Sequence, residues 1–569
     1  MKKLLKKITV VFTALLLSVM PLSLAGCKSE LDKIAETTSI LNVRYYSGGL
    51  GEAWINQVKS EFEELLKDVS FEEGKTGVYI NITADKNFTD IELTVSSGAD
   101  KNDIYYTPDN NLYEHYGAGV TMDVTDIFTE KVYDDNGGVV LASDGKSFVV
   151  QSQSMRDRAK DLQKDVFNMG TTEDPKYMAI PYSDTITGII VDYDLFKEEG
   201  WTDYTGMYGL PGTFDEFENL LKKIQRAGYS AFTYSVDHYA RPIEKAIIQK
   251  VDGDEGTALW NTYTGEYDFT YDENGNKIEP VTRNIAPQSA WNLIYTRGYK
   301  AAYDFSSLMF TSDAQGNSYY DANVMQGVTY TGAQSEFLMS KTYTDGRNRI
   351  AMIVEGDWWE NEARGTFNSM GQIDADNGYG KRDFKFMPIP QMTEDDKCEQ
   401  YTIGSHSGAG DILFVNKLTV ENNPVKRLLT KLWLQFQYSA DGCRTFTKNS
   451  GSVLPYAYDM TDDDLKVLTP FARSVWDMHT DPRVQIVHFG SMMQSYTVRN
   501  ASQQVVFNAS VLKSGQVGGT RTSFTRDIMF ENARQMAQKG YVYNWGEWVE
   551  GAKEYLMDRI SRATFPTQQ

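Results

Sequence analysis

Residues 349–363, RIAMIVEGDWWENEA, set two adjacent tryptophans among carboxylates. The apolar run Ile350–Val354 breaks at Glu355-Gly356. Asp357 then stands where a helix N-cap would, with Glu360 three residues on, the outline of a capping box. This spacing predicts a strand, a turn, and a helix whose first turn carries Trp358 and Trp359. Such groups suit non-covalent chemistry: indole rings cover flat apolar surface and carboxylate oxygens accept hydrogen bonds. Signatures of bond-breaking chemistry are weaker. The five histidines, at 115, 238, 406, 479 and 488, form no His-Glu-x-x-His or other dense ligand spacing, so neither a catalytic metal nor a cofactor is expected. GSHSG at 404–408 has His406 where a nucleophile elbow requires serine, and no Walker-type phosphate loop occurs. A hydrolytic carboxylate pair stays open, because it is defined by a distance that linear order does not supply.

The elements that must hold these groups follow a strand–helix grammar. ILNVRYY, 40–46, reads as a strand that ends in Ser47-Gly48-Gly49, and Trp54, Val58, Phe62 and Leu65 share one face of the helix behind it. GVYINITAD is a second strand and NDIYYTPDN a third, ending at Pro108-Asp109-Asn110. In 180–228 an apolar strand, Ile186–Val191, precedes PGTFDEFENLLKKIQRAG. There Thr213 and Glu216 form a capping box, Phe217, Leu220, Leu221 and Ile224 an apolar face, and Gly228 a stop. Asn423-Pro424 opens a helix that buries Leu428, Leu432 and Phe436, and Trp548, Ala552, Leu556 and Ile560 mark another near the C-terminus. Alternating strands and helices imply an α/β protein built on parallel sheet. Residues 251–345 differ, being rich in Tyr, Asn, Asp and Gly, and Asn274-Gly275 predicts a hairpin. The calcium-loop reading of Asp272, Asn274 and Asn276 fails, since Lys277 stands at the glycine position and Arg283 at that of the bidentate glutamate.

The N-terminus, MKKLLKKITVVFTALLLSVMPLSLAGC, has four lysines, an uncharged run from Ile8 to Met20, and Leu24-Ala25-Gly26-Cys27. The run is too short for a lasting membrane span and reads as a secretory signal. Its ending resembles the lipobox of bacterial lipoproteins, which implies lipidation at Cys27, a polar tether over 27–39, and a body held by lipid at the outer face of a membrane. Removal of residues 1–26 takes the formal charge from −22 to −26, which argues against nucleic acid or anionic lipid as a partner. Apart from Cys27, two cysteines remain, Cys398 and Cys443, which can form one bridge or stay as buried thiols. Aromatics are 13% of the chain; a large protein can bury many of these rings, so the surplus is only a hint of stacking surface.

Three stretches, LNVRYYSGGLGEAWINQVKSEFEE, MAIPYSDTITGIIVDYDLFKEEGW with LPGTFDEFENLLKKI, and the tryptophan segment, together with GAGDILFVNK, resemble the extracellular solute-binding proteins of bacterial ABC importers, in the family 1 sugar-binding group. The likeness spans most of 40–450. It departs at Tyr193-Asp194-Leu195, where that family often has Tyr-Asn-Lys, and in extra length at 130–175 and 251–345. What it implies is a periplasmic-binding-protein-like α/β fold of two lobes with a hinge and an interlobe ligand cleft. Lobe 1 is expected over 40–183 and about 404–482, lobe 2 over 184–385 and about 486–569 with 251–345 as insertion, and a hinge region at about 386–403. Chain crossings are placed near 181–185, 386–404 and 481–490.

Ligands of open α/β sheets sit outside the carboxyl ends of the strands. Trp358, Trp359 and Asp357 are therefore expected at the cleft, with Tyr46 and Ser47 after the first strand, Tyr106 and Asp109 after the third, and Tyr182 and Asp184 at the hinge. One indole covering ~50 Å² of a pyranose face is worth roughly 1 kcal/mol at ~25 cal/mol per Å². One tryptophan is thus expected to stack on sugar while its neighbour packs into the lobe. The resemblance implies a monomer that captures a carbohydrate, most simply an oligosaccharide, for the transmembrane subunits of a permease, with no catalysis. A peptide or polyol ligand, a surface glycoside hydrolase, and an adhesin without small ligand are the competing readings.

Overall fold

The computed structural model describes residues 29–488 apart from 87–90, 109–118, 236–239, 311–317, 407–410 and isolated positions between 136 and 172 and at 263 and 273, together with two short strands at 514–517 and 520–523. The signal segment, Cys27, Asp109 and the helix expected around Trp548 lie outside the described residues. Within 27–39, Ser29 caps a short helix, Glu30–Ala35, closed by a reciprocal Ser29–Asp32 capping box and with no buried residue.

The strands that matter here are β1 (Ser39–Tyr46), β2 (Val78–Asp85), β3 (Ile104–Thr107), β4 (Ile180–Pro181), β5 (Ile186–Asp192), β6 (Ser230–Thr233), β7 (Gly265–Tyr271), β8 (Lys277–Ile285), β9 (Ile350–Gly356), β10 (Phe384–Met387), β11 (Tyr401–Ser405), β12 (Ile412–Val415) and β13 (Val484–Val487). One sheet has the order β2-β1-β3-β12-β4, the other β13-β11-β5-β9-β6 with β10 also on β5. Each sheet is the centre of one lobe, with its own apolar clusters.

Neither sheet is purely parallel. β1, β2 and β3 run together, as do β9 with β6 and β11 with β13, but β12 is antiparallel to β3, and β5 is antiparallel to β9, β10 and β11. The reason is the crossing itself. A strand arriving from the other lobe enters at the carboxyl ends of its neighbours and must run against them. Ile412, the first residue of β12, pairs with Thr107, the last of β3, and Thr187 near the start of β5 pairs with Gly356 and Gly404 at the ends of β9 and β11.

Tyr182–Thr185 link β4 to β5. The expected hinge region at 386–403 is corrected: it holds the end of β10 and most of β11, both paired to lobe 2 strands, and the return to lobe 1 falls between Ser405 and Ile412. The third crossing also moves. Helix Ala440–Ser450 packs on helix Ala53–Leu65 of lobe 1 and helix Pro470–Thr480 on β10 and β13 of lobe 2, so the chain passes over within 451–469, before Asp481.

Local chemistry sets these elements. β5, buried along its whole length, is the apolar run read in the sequence. In helix Phe214–Arg226, Thr213 accepts from the Glu216 N–H, but the Glu216 carboxylate reaches past the cap to the Gly212 N–H at 2.8 Å. In helix 53–65 the apolar stripe continues from Trp54, Val58 and Phe62 to buried Leu66, and Leu65 is 42% exposed. Beneath helix Pro424–Gln437, Leu429 and Trp433 are fully buried with Leu432, while Leu428 and Phe436 pack at the edge. β7 and β8 form the Asn274-Gly275 hairpin, with Gly275 at φ 77°. Residues 251–345 as a whole add a second layer to lobe 2: helix Arg297–Phe310 lies on helix Ala240–Thr262, which lies on β11 and β5. Gly404 permits that approach, since a Cβ there would meet the Pro242 carbonyl at 2.2 Å. Cys398 and Cys443 are both free and buried, one in each lobe.

Candidate functional site

The crossings bring the carboxyl ends of β1 and β3 in lobe 1 opposite those of β9, β11 and β13 in lobe 2. On the lobe 1 side, the turn after β1 is pinned from beneath. Trp54 Nε1 donates to the Tyr45 hydroxyl, which donates to the Gly51 carbonyl at 2.8 Å. On the lobe 2 side, β9 delivers Glu355, Gly356 and Asp357 and then the tryptophans.

Trp358 crosses the boundary. It is 8% exposed and packs with the apolar cluster of lobe 1. A Cβ built on Gly49, whose φ is +63°, would lie 2.8 Å from its indole, and His406 meets the ring edge to face at 4.7 Å. Only a glycine both adopts that backbone and leaves room for the ring. Trp359 turns the other way, fully buried among Phe337, Phe367, Phe384 and Phe471 at centroid distances of 5.1–5.8 Å. One ring faces the opposite lobe and its neighbour packs into its own.

Asp357 is not the helix cap. The helix Trp359–Glu362 starts with Trp358 at its N-cap and no side-chain cap bond, because Asp357 is already committed elsewhere. Its N–H donates to the Ile186 carbonyl at 3.0 Å and its Oδ2 accepts from Ser452 Oγ at 2.6 Å, a bond to the third crossing. Its other oxygen is buried without a hydrogen-bond partner among the described residues, and burial pushes the carboxyl up to about 8. Glu360 likewise caps nothing locally: it accepts from Thr469 Oγ1 at 2.5 Å, and burial raises it to about 7.

Two carboxylates went unread in the sequence. Glu355 is 1% exposed and accepts from the Gly356 N–H and from Gln334 Nε2, which also donates to Glu362 at 2.8 Å; burial raises Glu355 to about 8. Glu362 is raised by burial too. Their only signal was position, a glutamate at a strand end and another one turn on.

The remaining expected residues divide. Tyr46 is half-buried at the boundary, its phenol raised first by burial and then by Tyr330 and Glu362 of lobe 2. Ser47 is partly buried and its N–H donates to the Asp85 carbonyl, so the residue extends the β1–β2 pairing. Tyr106 belongs to the core of lobe 1: its hydroxyl is shared by Gln437 and Trp433, and its ring lies against Tyr45, Trp54 and Tyr182. The strand end lies one residue beyond it, so its side chain falls on the packed face. Tyr182 is buried beside it, 1% exposed. Asp184 is fully buried at the first crossing, ion-paired with Lys160 at 2.7 Å. His406 and Asp411, which sequence reading did not place here, lie at the two ends of the second crossing. The His406 N–H donates to the Thr185 carbonyl at 2.9 Å, and Asp411 accepts from Ser183 at 2.8 Å.

The assembled boundary offers one indole, the half-buried phenol of Tyr46, the exposed phenol of Tyr330, and a group of carboxyls of which Glu355 and Asp357 are raised by burial to about 8. Protonated carboxyls both donate and accept. The set can both exchange hydrogen bonds and cover an apolar face. No protein-family model matches the chain, and no curated protein matches it. Among solved structures, the chain resembles the apo-form of RafE from Streptococcus pneumoniae, with 13% identity over 92% of this chain and 98% of that one at a TM-score of 0.49. It resembles SBP RafE in complex with raffinose at 11% identity, 92% and 100% coverage and 0.49. The Thermus thermophilus maltotriose binding protein bound with maltotriose gives 14%, 90%, 99% and 0.45. The two-lobe description rests on the strand order and crossings above and takes nothing from these likenesses.

Proposed function

We propose that the chain is the substrate-binding component of an ABC importer, which captures a carbohydrate, an oligosaccharide, between its lobes and hands it to the transmembrane subunits of a permease. The observation that carries this reading is Trp358: an indole from lobe 2 seated on the Gly49 turn of lobe 1, where strand ends of both sheets meet. A ligand that takes the place of Gly49 and His406 against that ring would touch both lobes at once. Contacts to both lobes favour the closed arrangement over the open one, and capture is then a population shift without bond chemistry. The carbohydrate class is supported by the indole, the phenols and the neutral carboxyls, and by the family-like motifs around them.

In the same reading, residues 1–26 are a signal peptide and Cys27 carries lipid, so the protein works as a monomer on the outer face of the cell membrane. Support comes from the order of lysines, apolar run and Leu24-Ala25-Gly26-Cys27. Among the described residues no helix is long and apolar enough to cross a membrane.

Thermal unfolding of protein begun after Cys27, against neutral oligosaccharides, amino acids and short peptides, tests the proposal. A ligand at ~100 times its Kd stabilises the native state by roughly 2.7 kcal/mol. An oligosaccharide series that raises the midpoint and is recovered intact supports capture. A shift with peptides alone overturns the carbohydrate class, and recovery of cleaved sugar replaces capture by hydrolysis.

A further inference from the structure

The Asp184 carboxylate is held by residues that belong to different lobes. Lys160, just after the lobe 1 helix Met155–Arg158, donates to Oδ2 at 2.7 Å, and Nε2 of His488, the residue after β13 in lobe 2, lies 2.7 Å from Oδ1. The Lys160 ammonium also lies 3.2 Å from Nδ1 of His479, at the end of helix 470–480 in lobe 2. An ammonium can only donate, so His479 Nδ1 accepts and that ring is neutral with its proton on Nε2. The third crossing is tied to the same point: the Asp184 N–H donates to the Val453 carbonyl at 3.2 Å and the Lys160 N–H to the Pro455 carbonyl at 2.9 Å.

Asp184 is 0% exposed. Burial opposes its charge, but Lys160 and the hydrogen bond with His488 outweigh burial and hold the carboxyl well below the usual range. The other titratable groups that feel it, Asp357 and Tyr458, are themselves buried and raised. A buried carboxylate that loses one of its partners is strongly destabilised. Rotation of the lobes about the crossings displaces these groups less than it displaces the cleft rim, yet hydrogen bonds of this length weaken within a fraction of an ångström. An arrangement that separates Lys160 from His488 cannot keep both contacts.

We infer that Lys160, Asp184 and His488 form a latch that sets the balance between the closed and open arrangements of the lobes. Asp184 is then a positioning residue and not a ligand contact. The inference rests on the reading above in one respect, that the lobes move relative to one another.

The test measures lobe separation directly and without ligand. In protein begun after Cys27, dyes on Glu64→Cys in helix 53–65 and Arg226→Cys in helix 214–226, both exposed, report the distance by single-molecule energy transfer while Cys398 and Cys443 stay buried. Lys160→Met and His488→Ala should each raise the ratio of open to closed molecules about tenfold, and Lys160→Arg, which keeps the charge, should restore the wild-type distribution. Unchanged distances in both Lys160→Met and His488→Ala overturn the latch, even if the unfolding midpoint drops, because an ordinary structural pair would move the midpoint alone. Should Lys160→Met fail to fold, His488→Ala decides by itself. Maltotriose and raffinose added to the wild type form a separate arm. If neither shortens the distance, capture of these sugars falls, and the latch is still judged on the ligand-free distributions.

Discussion

Two adjacent tryptophans with opposite surroundings predict different phenotypes. Trp358→Ala should weaken ligand binding about tenfold, the equivalent of roughly 1.4 kcal/mol, and, because the ring also packs with the lobe 1 cluster, lower the ligand-free unfolding midpoint as well. Trp359→Ala removes a ring packed by four phenylalanines and should cost about 3–5 kcal/mol of stability, read as a drop in the urea midpoint. The split between the two rings was legible, because consecutive residues of a first helical turn cannot face the same way. The cap was not: Asp357 has the right type and spacing, but Ser452, 95 residues away, competes for its carboxylate. The buried carboxyls also give stability a pH dependence. Asp357 titrates near 8 in the fold and near 4 when unfolded, so between these values the unfolded chain holds fewer protons. Its contribution is fully present below pH 4 and lost as pH rises towards 8, at about 1.4 kcal/mol per pH unit. His479, lowered by burial to about 3, works in the opposite sense between 3 and 6.5. Urea midpoints compared at pH 6.5 and pH 8 therefore isolate the carboxyls. Asp357→Asn should flatten the fall in stability over that window, and an unchanged slope would count against the assignment.

At the scale of elements, sequence reading succeeded where chemistry is local and failed where it depends on a distant partner. The Asn274-Gly275 hairpin, the Thr213 cap and the apolar β5 are all set within a dozen residues. The hinge region at 386–403 was misplaced because β11 has no distinctive pattern of its own; it is a strand because β5 and β13 lie beside it. The mixed direction of both sheets was missed for the same reason, since a strand's direction follows from the lobe it arrives from. Helix 53–65 allows a sharp check of register. Leu66→Ala should cost about 2–5 kcal/mol and Leu65→Ala less than about 0.5 kcal/mol, as read by chemical denaturation. Gly404→Ala, which drives a methyl into the Pro242 carbonyl, should lower stability by about 1–3 kcal/mol.

At the scale of the molecule, the chain visits lobe 1, lobe 2, lobe 1 and lobe 2 in turn, and this order bears on biosynthesis. Among the described residues β4 joins its sheet only through β12, and Phe62 packs against Trp433 and Phe436, so lobe 1 is unfinished until residues beyond 450 have been made. Lobe 2 waits for β13 at 484–487. A nascent chain stopped after β5 would carry four strands of one sheet, with β4 cut off from the other three for want of β12, and a single strand of the other. Released as a fragment, residues 29–192 should show no cooperative melting by circular dichroism. The two lobes thus mature almost together, late in synthesis, and under the proposed export the chain would gain from its topology alone a delay in folding before it crosses the membrane.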